Sequence, residues 1–111
     1  MQAIYRTGPM PANALEASSA FYAEHLVAIA ELLADGPDTL VVIFPPATHD
    51  HRGWRRAAIA DLARAHAPTR VLGLIDGDPA GVSRALAYCE SAEGVTGQLL
   101  AVDGNPVKNP A

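Results

Sequence analysis

Cysteine, lysine and aromatic side chains are scarce in this sequence, and each shortage excludes something. Cys89 is the only cysteine, so neither an internal disulfide nor a thiolate zinc site can form. Lys108 is the only lysine, and arginine supplies the other positive charges. Eight basic residues stand against twelve acidic ones, for a net charge of −4. With no basic excess to attract phosphate backbones, nucleic acid is excluded as an expected partner. No uncharged apolar run approaches the roughly 18 residues that span a bilayer, so no membrane partner is expected. The N-terminal residues lack a basic segment followed by an apolar run, so no secretory signal is expected and the expected location is cytoplasmic.

What is present is an ordinary globular composition: 111 residues, 50% hydrophobic and 18% charged. That is far from the low-hydrophobicity, high-charge mixture of disordered chains. The length suits one domain, since domains usually hold about 100–150 residues. A chain of this size buries roughly two-thirds of its unfolded surface, enough for a core without staples. We expect residues 1–106 to form a single domain and 107–111 a C-terminal tail. No repeat or low-complexity linker interrupts it.

Apolar runs alternate with helical patterns. Residues 2–6 form a short strand ended by Thr7-Gly8-Pro9. Asn13 is placed to cap a helix, with Glu16 at the capping-box spacing, and the pattern runs to Asp35 before Gly36-Pro37. Leu15, Tyr22, Leu26, Ile29 and Leu33 fall on one stripe; Phe21, Ala28 and Leu32 fall on a second. This surface is wider than one sheet contact requires. Residues 39–44 (Thr-Leu-Val-Val-Ile-Phe) read as a strand covered on both faces. A second helix is predicted over 50–66 and another buried strand over 70–75. Asp78-Pro79, a capping residue before proline, begins a third helix running to about Glu93. Residues 98–102 are the last strand. The order β-α-β-α-β-α-β predicts an α/β, three-layer Rossmann-like fold with a short parallel sheet of about four strands. Its crossovers are expected to be right-handed.

In such sheets ligands bind beyond the carboxyl ends of the strands. The weak catalytic candidates there are Thr48, His49, Asp50 and His51, since two imidazoles and a carboxylate can move protons or bind a metal. A solvated capping loop is the favoured reading, because residues two apart at a helix start do not converge and no third ligand is visible. No metal site is therefore assigned; no cofactor-binding residue is assigned either. Arg52, Arg55 and Arg56 at the same helix start offer an anion site, weighed against the favoured reading of surface salt bridges. Asp76-Gly77-Asp78 is explained by capping. His25, Tyr5 and Tyr22 are read as core or interface residues, and Cys89 as a buried, inert thiol.

The segment from Val95 through Thr96-Gly97-Gln98, Leu99-Leu100-Ala101-Val102 and Asp103-Gly104 resembles the closing strand of short-chain dehydrogenases/reductases. Leu62-Ala63-Arg64, Ala67-Pro68 and Arg70-Val71 resemble that family's catalytic helix and the strand after it. The resemblance covers residues 40–106 and implies the family's C-terminal half, from its fourth strand to its seventh. Two departures stand out. After Thr7-Gly8 comes Pro9-Met10-Pro11, with no further glycine until Gly36, so the family's glycine-rich cofactor turn is missing. Aligning on Arg56-Ala57-Ala58-Ile59 places Arg52 and Arg56 where the family has its Tyr-x-x-x-Lys pair, and Thr48 near its serine. A phenol activated by a lysine is thus not available on this helix.

The resemblance implies descent and fold, while the residues argue against the family's chemistry. The expectation is a truncated, non-catalytic relative with no bound cofactor. It acts through homo-oligomerisation, as a dimer or tetramer, or as partner of a full-length reductase. In the resembled family, the two long helices of this half pack against those of a second subunit. The alternatives are a small enzyme of changed chemistry at Thr48, His49, Asp50 or His51, and an NAD(P)-dependent oxidoreductase completed by a partner. The strand 2–6 would be an open sheet edge, which must be covered or paired.

Overall fold

The computed structural model describes residues 1–102. The strands are β1 (Gln2–Arg6), β2 (Thr39–Phe44), β3 (Arg70–Ile75) and β4 (Leu99–Ala101). They lie in the order β1-β2-β3-β4, and every pairing is parallel. Helix α1 spans residues 14–34, α2 is Arg52–Ala65 after a 3-10 turn at His49–His51, and α3 is Pro79–Ser91. This is the small Rossmann-like α/β fold expected. The closing strand is shorter than predicted. Asp103-Gly104 and the 107–111 tail lie outside the described residues. No helix among the described residues is long and apolar enough to cross a membrane.

The predicted caps form. Asn13 Oδ1 accepts from the Glu16 backbone N–H at 3.0 Å, and Asp78 Oδ2 from the Gly81 N–H at 3.1 Å. The interior of α1 departs from a regular pattern. Between α-helical segments at Ala14–Ala20 and Leu26–Ala34, Phe21–His25 makes a π-helical turn. A π turn accommodates one extra residue, so the helix segments on its two sides are rotated by about 100° relative to each other. The stripe through Leu15 and Tyr22 is therefore carried off the sheet, while Ala17 and Phe21 move onto it beside Ile29.

Side chains alternate along the strands. Leu40, Val42, Phe44 and Val71 meet Phe21 and Ile29 of α1 and Ala58, Ile59 and Leu62 of α2. Val41, Ile43, Leu72 and Leu74 meet Val82 and Cys89 of α3. The sheet thus has α1 and α2 on one face and α3 on the other, three layers in all. The strand order always advances in one direction, so the third crossover must have the opposite hand to the first two. The three crossovers therefore cannot all be right-handed, contrary to expectation. A third helix on the first face would leave Val41, Ile43, Leu72 and Leu74 in water. Burying such side chains is worth about 1.5–3 kcal/mol each, enough to override the local preference.

The Thr-Gly-Gln segment fastens β4 to β3. Thr96 Oγ1 accepts from the Val71 N–H at 3.0 Å, and the Gly97 N–H donates to the Val71 carbonyl at 2.7 Å. Gly97 sits at φ +75°, where a Cβ would come 3.5 Å from Ala63 Cβ on α2. The last turn of α3 carries no basic residue of its own. Instead Arg70 reaches from β3, its Nη1 donating to the carbonyls of Cys89 (2.8 Å) and Ala92 (2.7 Å) and its Nη2 to that of Glu90 (3.1 Å). A cation on terminal carbonyls also complements the helix dipole. Replacing Arg70 with methionine is expected to cost about 2–3 kcal/mol, since charged hydrogen bonds contribute about 1.5–3 each and these three share one group. Urea unfolding monitored by circular dichroism measures it; a loss below half that range would mean water satisfies these carbonyls as well.

Candidate functional site

The segment after β2 carries most of the chemistry-bearing residues. Pro45 and Pro46 stop the strand, because proline cannot donate to the ladder. The chain then crosses the sheet's carboxyl end and enters the 3-10 turn that leads into α2. Thr48, His49 and Asp50 are exposed there. Thr48 Oγ1 donates to the Asp50 carboxylate rather than capping a backbone N–H. That hydrogen bond, with one from the backbone, holds the Asp50 carboxyl below its ordinary range.

His51 does not share the solvated setting expected for this cluster. It is 3% exposed and both ring nitrogens are engaged. Nε2 lies 2.9 Å from the Ala12 carbonyl oxygen, and the Trp54 indole N–H points to Nδ1 at 3.3 Å. A carbonyl only accepts and an indole N–H only donates, so the partners fix the neutral tautomer with its proton on Nε2. His51 thereby ties the start of α2 to the loop ahead of α1. Among the described residues, no group of three or more His, Cys, Asp or Glu side chains is placed to hold a metal.

The three arginines separate. Arg56 is exposed and Arg52 half-buried, whereas Arg55 is 2% exposed. Surface salt bridges were the favoured expectation for all three, yet burial removes Arg55 from that class. Among the described residues the ion pairs are Met1–Asp38, Arg6–Asp76 and Arg64–Asp61, and none uses Arg52, Arg55 or Arg56. Arg55 Nη1 donates to the Pro45 carbonyl at 2.9 Å, and its guanidinium stands 4.8 Å from the Phe44 ring centre. Desolvation lowers its pKa to about 10, so it stays charged at neutral pH.

Two cavities meet around Arg55. The larger, about 890 Å³, lies between the first half of α2 and β4. The smaller, about 290 Å³, lies under the 45–48 segment against Met10, Pro11 and Ala12. Sequence reasoning missed both the burial of Arg55 and this cleft. The available signal was spacing: Arg55 is three and four residues before Ala58 and Ile59, on the apolar face of α2.

Tyr5 lies on β1 and Tyr22 on α1. Burial raises the pKa of Tyr5 and of Tyr22, and Asp61 raises Tyr22 further. Tyr5 Oη pairs with His25 Nδ1 at 2.6 Å, joining β1 to α1. Asp76 closes the far side of the sheet's carboxyl end through its ion pair with Arg6 at 2.9 Å. Burial also raises the Cys89 thiol pKa, against a smaller opposing effect of Arg70.

A Rossmann-like sheet whose last strand is fastened by Thr-Gly-Gln defines the general class. The family model described as SDR-like, short chain dehydrogenase-like protein, matches residues 5–102. The chain belongs to that family, and the match extends well ahead of the segment in which the resemblance was read. No curated protein and no solved structure matches it.

Proposed function

We propose that this chain is a non-catalytic short chain dehydrogenase-like protein that acts by association, with a second copy of itself or with a full-length reductase. The observation that carries the reading is the apolar surface left on α1. Leu15 is 79% exposed, Val27 62% and Tyr22 46%. Single exposed apolar residues are common, but three on one helix beside a sheet edge that is unpaired among the described residues favour a covering partner. That edge is β1, where Ile4 is 44% exposed. Support for the non-catalytic part comes from α2, which carries arginine at both positions where the family's chemistry needs tyrosine and lysine.

Sedimentation velocity at micromolar concentration tests the reading. A dimer or larger species is expected, and a Leu15→Glu/Val27→Glu variant is expected to sediment as a monomer with unchanged far-UV circular dichroism. A wild-type monomer that also fails to capture a full-length reductase in co-sedimentation would overturn it. So would hydride turnover with NAD(P)H by the purified chain.

A further inference from the structure

Arg55 is a buried cation without a counter-charge among the described residues. Its Nη1 has one carbonyl partner and its Nε has none. The ring faces of Phe44 and Trp54, 4.8 and 5.6 Å away, soften its desolvation but supply no negative charge. An unpaired ion is costly to remove from water, and the usual remedy is an anion brought to it. Arg55 forms part of the walls of both adjoining cavities, and among the described residues neither wall contains an Asp or a Glu. That is notable in a chain with twelve acidic and eight basic residues. The larger wall adds Arg52 and Arg56, neither of which is ion-paired among the described residues. The lining also includes the apolar Ile75, Leu99 and Ala101, with Gln98 as a polar neighbour. A cleft of about 890 Å³ falls within the size range of small-molecule sites.

We propose that this cleft binds a small amphipathic anion, a carboxylate or phosphate monoester on a short apolar body, with its head on Arg55, Arg52 and Arg56. The planar guanidinium fork suits either head group, since both offer two acceptor oxygens side by side. The inference is independent of whether the chain self-associates.

Trp54 is the only tryptophan and touches the Arg55 guanidinium, so its fluorescence reports the site directly. Titration with octanoate, octyl phosphate and 1-octanol is the experiment. Saturable one-to-one binding is expected for at least one anion, the tighter one identifying the head group, with 1-octanol binding much more weakly. Arg55→Met is expected to weaken the anion about 30-fold or more, as for loss of one partner of a buried charge pair. If that variant does not fold, Arg52→Gln/Arg56→Gln carries the test, since both residues lie outside the core; a loss of about fivefold or more is expected. Failure of both anions to bind, equal binding of octanol, or a folded variant that binds like the wild type would overturn the proposal.

Discussion

Phe21→Ala is expected to lower the unfolding free energy by about 4 kcal/mol, the middle of the range for a large buried aromatic. Phe21 is fully buried, and its ring joins three elements. It lies 5.6 Å from Phe44 on β2, 5.5 Å from Trp54 on α2, and 6.0 Å from His25 one turn along its own helix. Each contact is within the range where aromatic pairs add to simple area burial. The residue also sits at the start of the π turn that sets which face of α1 meets the sheet. Its loss removes the anchor as well as the packing. Domains of this kind are stable by only about 5–15 kcal/mol, so a measurable unfolded fraction at 37 °C is expected. Urea titration should show the midpoint falling with m unchanged. A cost under about 2 kcal/mol would mean that α1 slides to refill the space, and that the π turn rather than the ring fixes its phase.

The placement of elements was legible because the punctuation is strong. Gly36-Pro37, Pro45-Pro46 and Asp78-Pro79 fall where helices and strands change over, and Asn13 and Asp78 cap as their side-chain chemistry requires. The rotation inside α1 was not legible, since a π turn leaves no composition mark and appears only when the buried set is known. The hand of the last crossover was hidden for a different reason. It depends on which face remains bare after α1 and α2 have docked, which is a property of the assembled sheet. At the site, the exposed Thr48, His49 and Asp50 lie as their polar character suggests. Burial of His51 and Arg55 results from the path of the 45–48 segment, which no local pattern encodes. Arginine reads as surface by default, and only its i+3 and i+4 neighbours, Ala58 and Ile59, hinted otherwise.

Gly73→Val is expected to cost about 3 kcal/mol, at the upper end for overpacking a filled core. Glycine inside a strand weakens it and commonly marks a close approach of neighbours. Here β3 is the inner strand that joins β2 to β4, with Gly73 paired to Val42 on one side and Leu99 on the other. A Cβ at this position would come 2.8 Å from both Ile59 Cγ1 and Leu99 Cδ1. Leu99 Cδ1 is the end of a flexible side chain and can swing aside. Ile59 Cγ1 cannot, because a β-branched residue on a helix is held near one χ1 rotamer and Ile59 is fully buried. Relief therefore requires α2 to lift from the sheet, which would also shift Arg55 and the cleft beside it. Gly73→Ala is expected to fall between wild type and the valine variant. The diagnostic measurement is the double variant Gly73→Val/Ile59→Ala, in which the new methyl groups enter the space that Ile59 vacates. Each single change destabilises, yet together they should cost at least about 1 kcal/mol less than their sum, as contacting residues do. Strict additivity in thermal or urea unfolding would show that Gly73 is required for a reason other than the approach of α2.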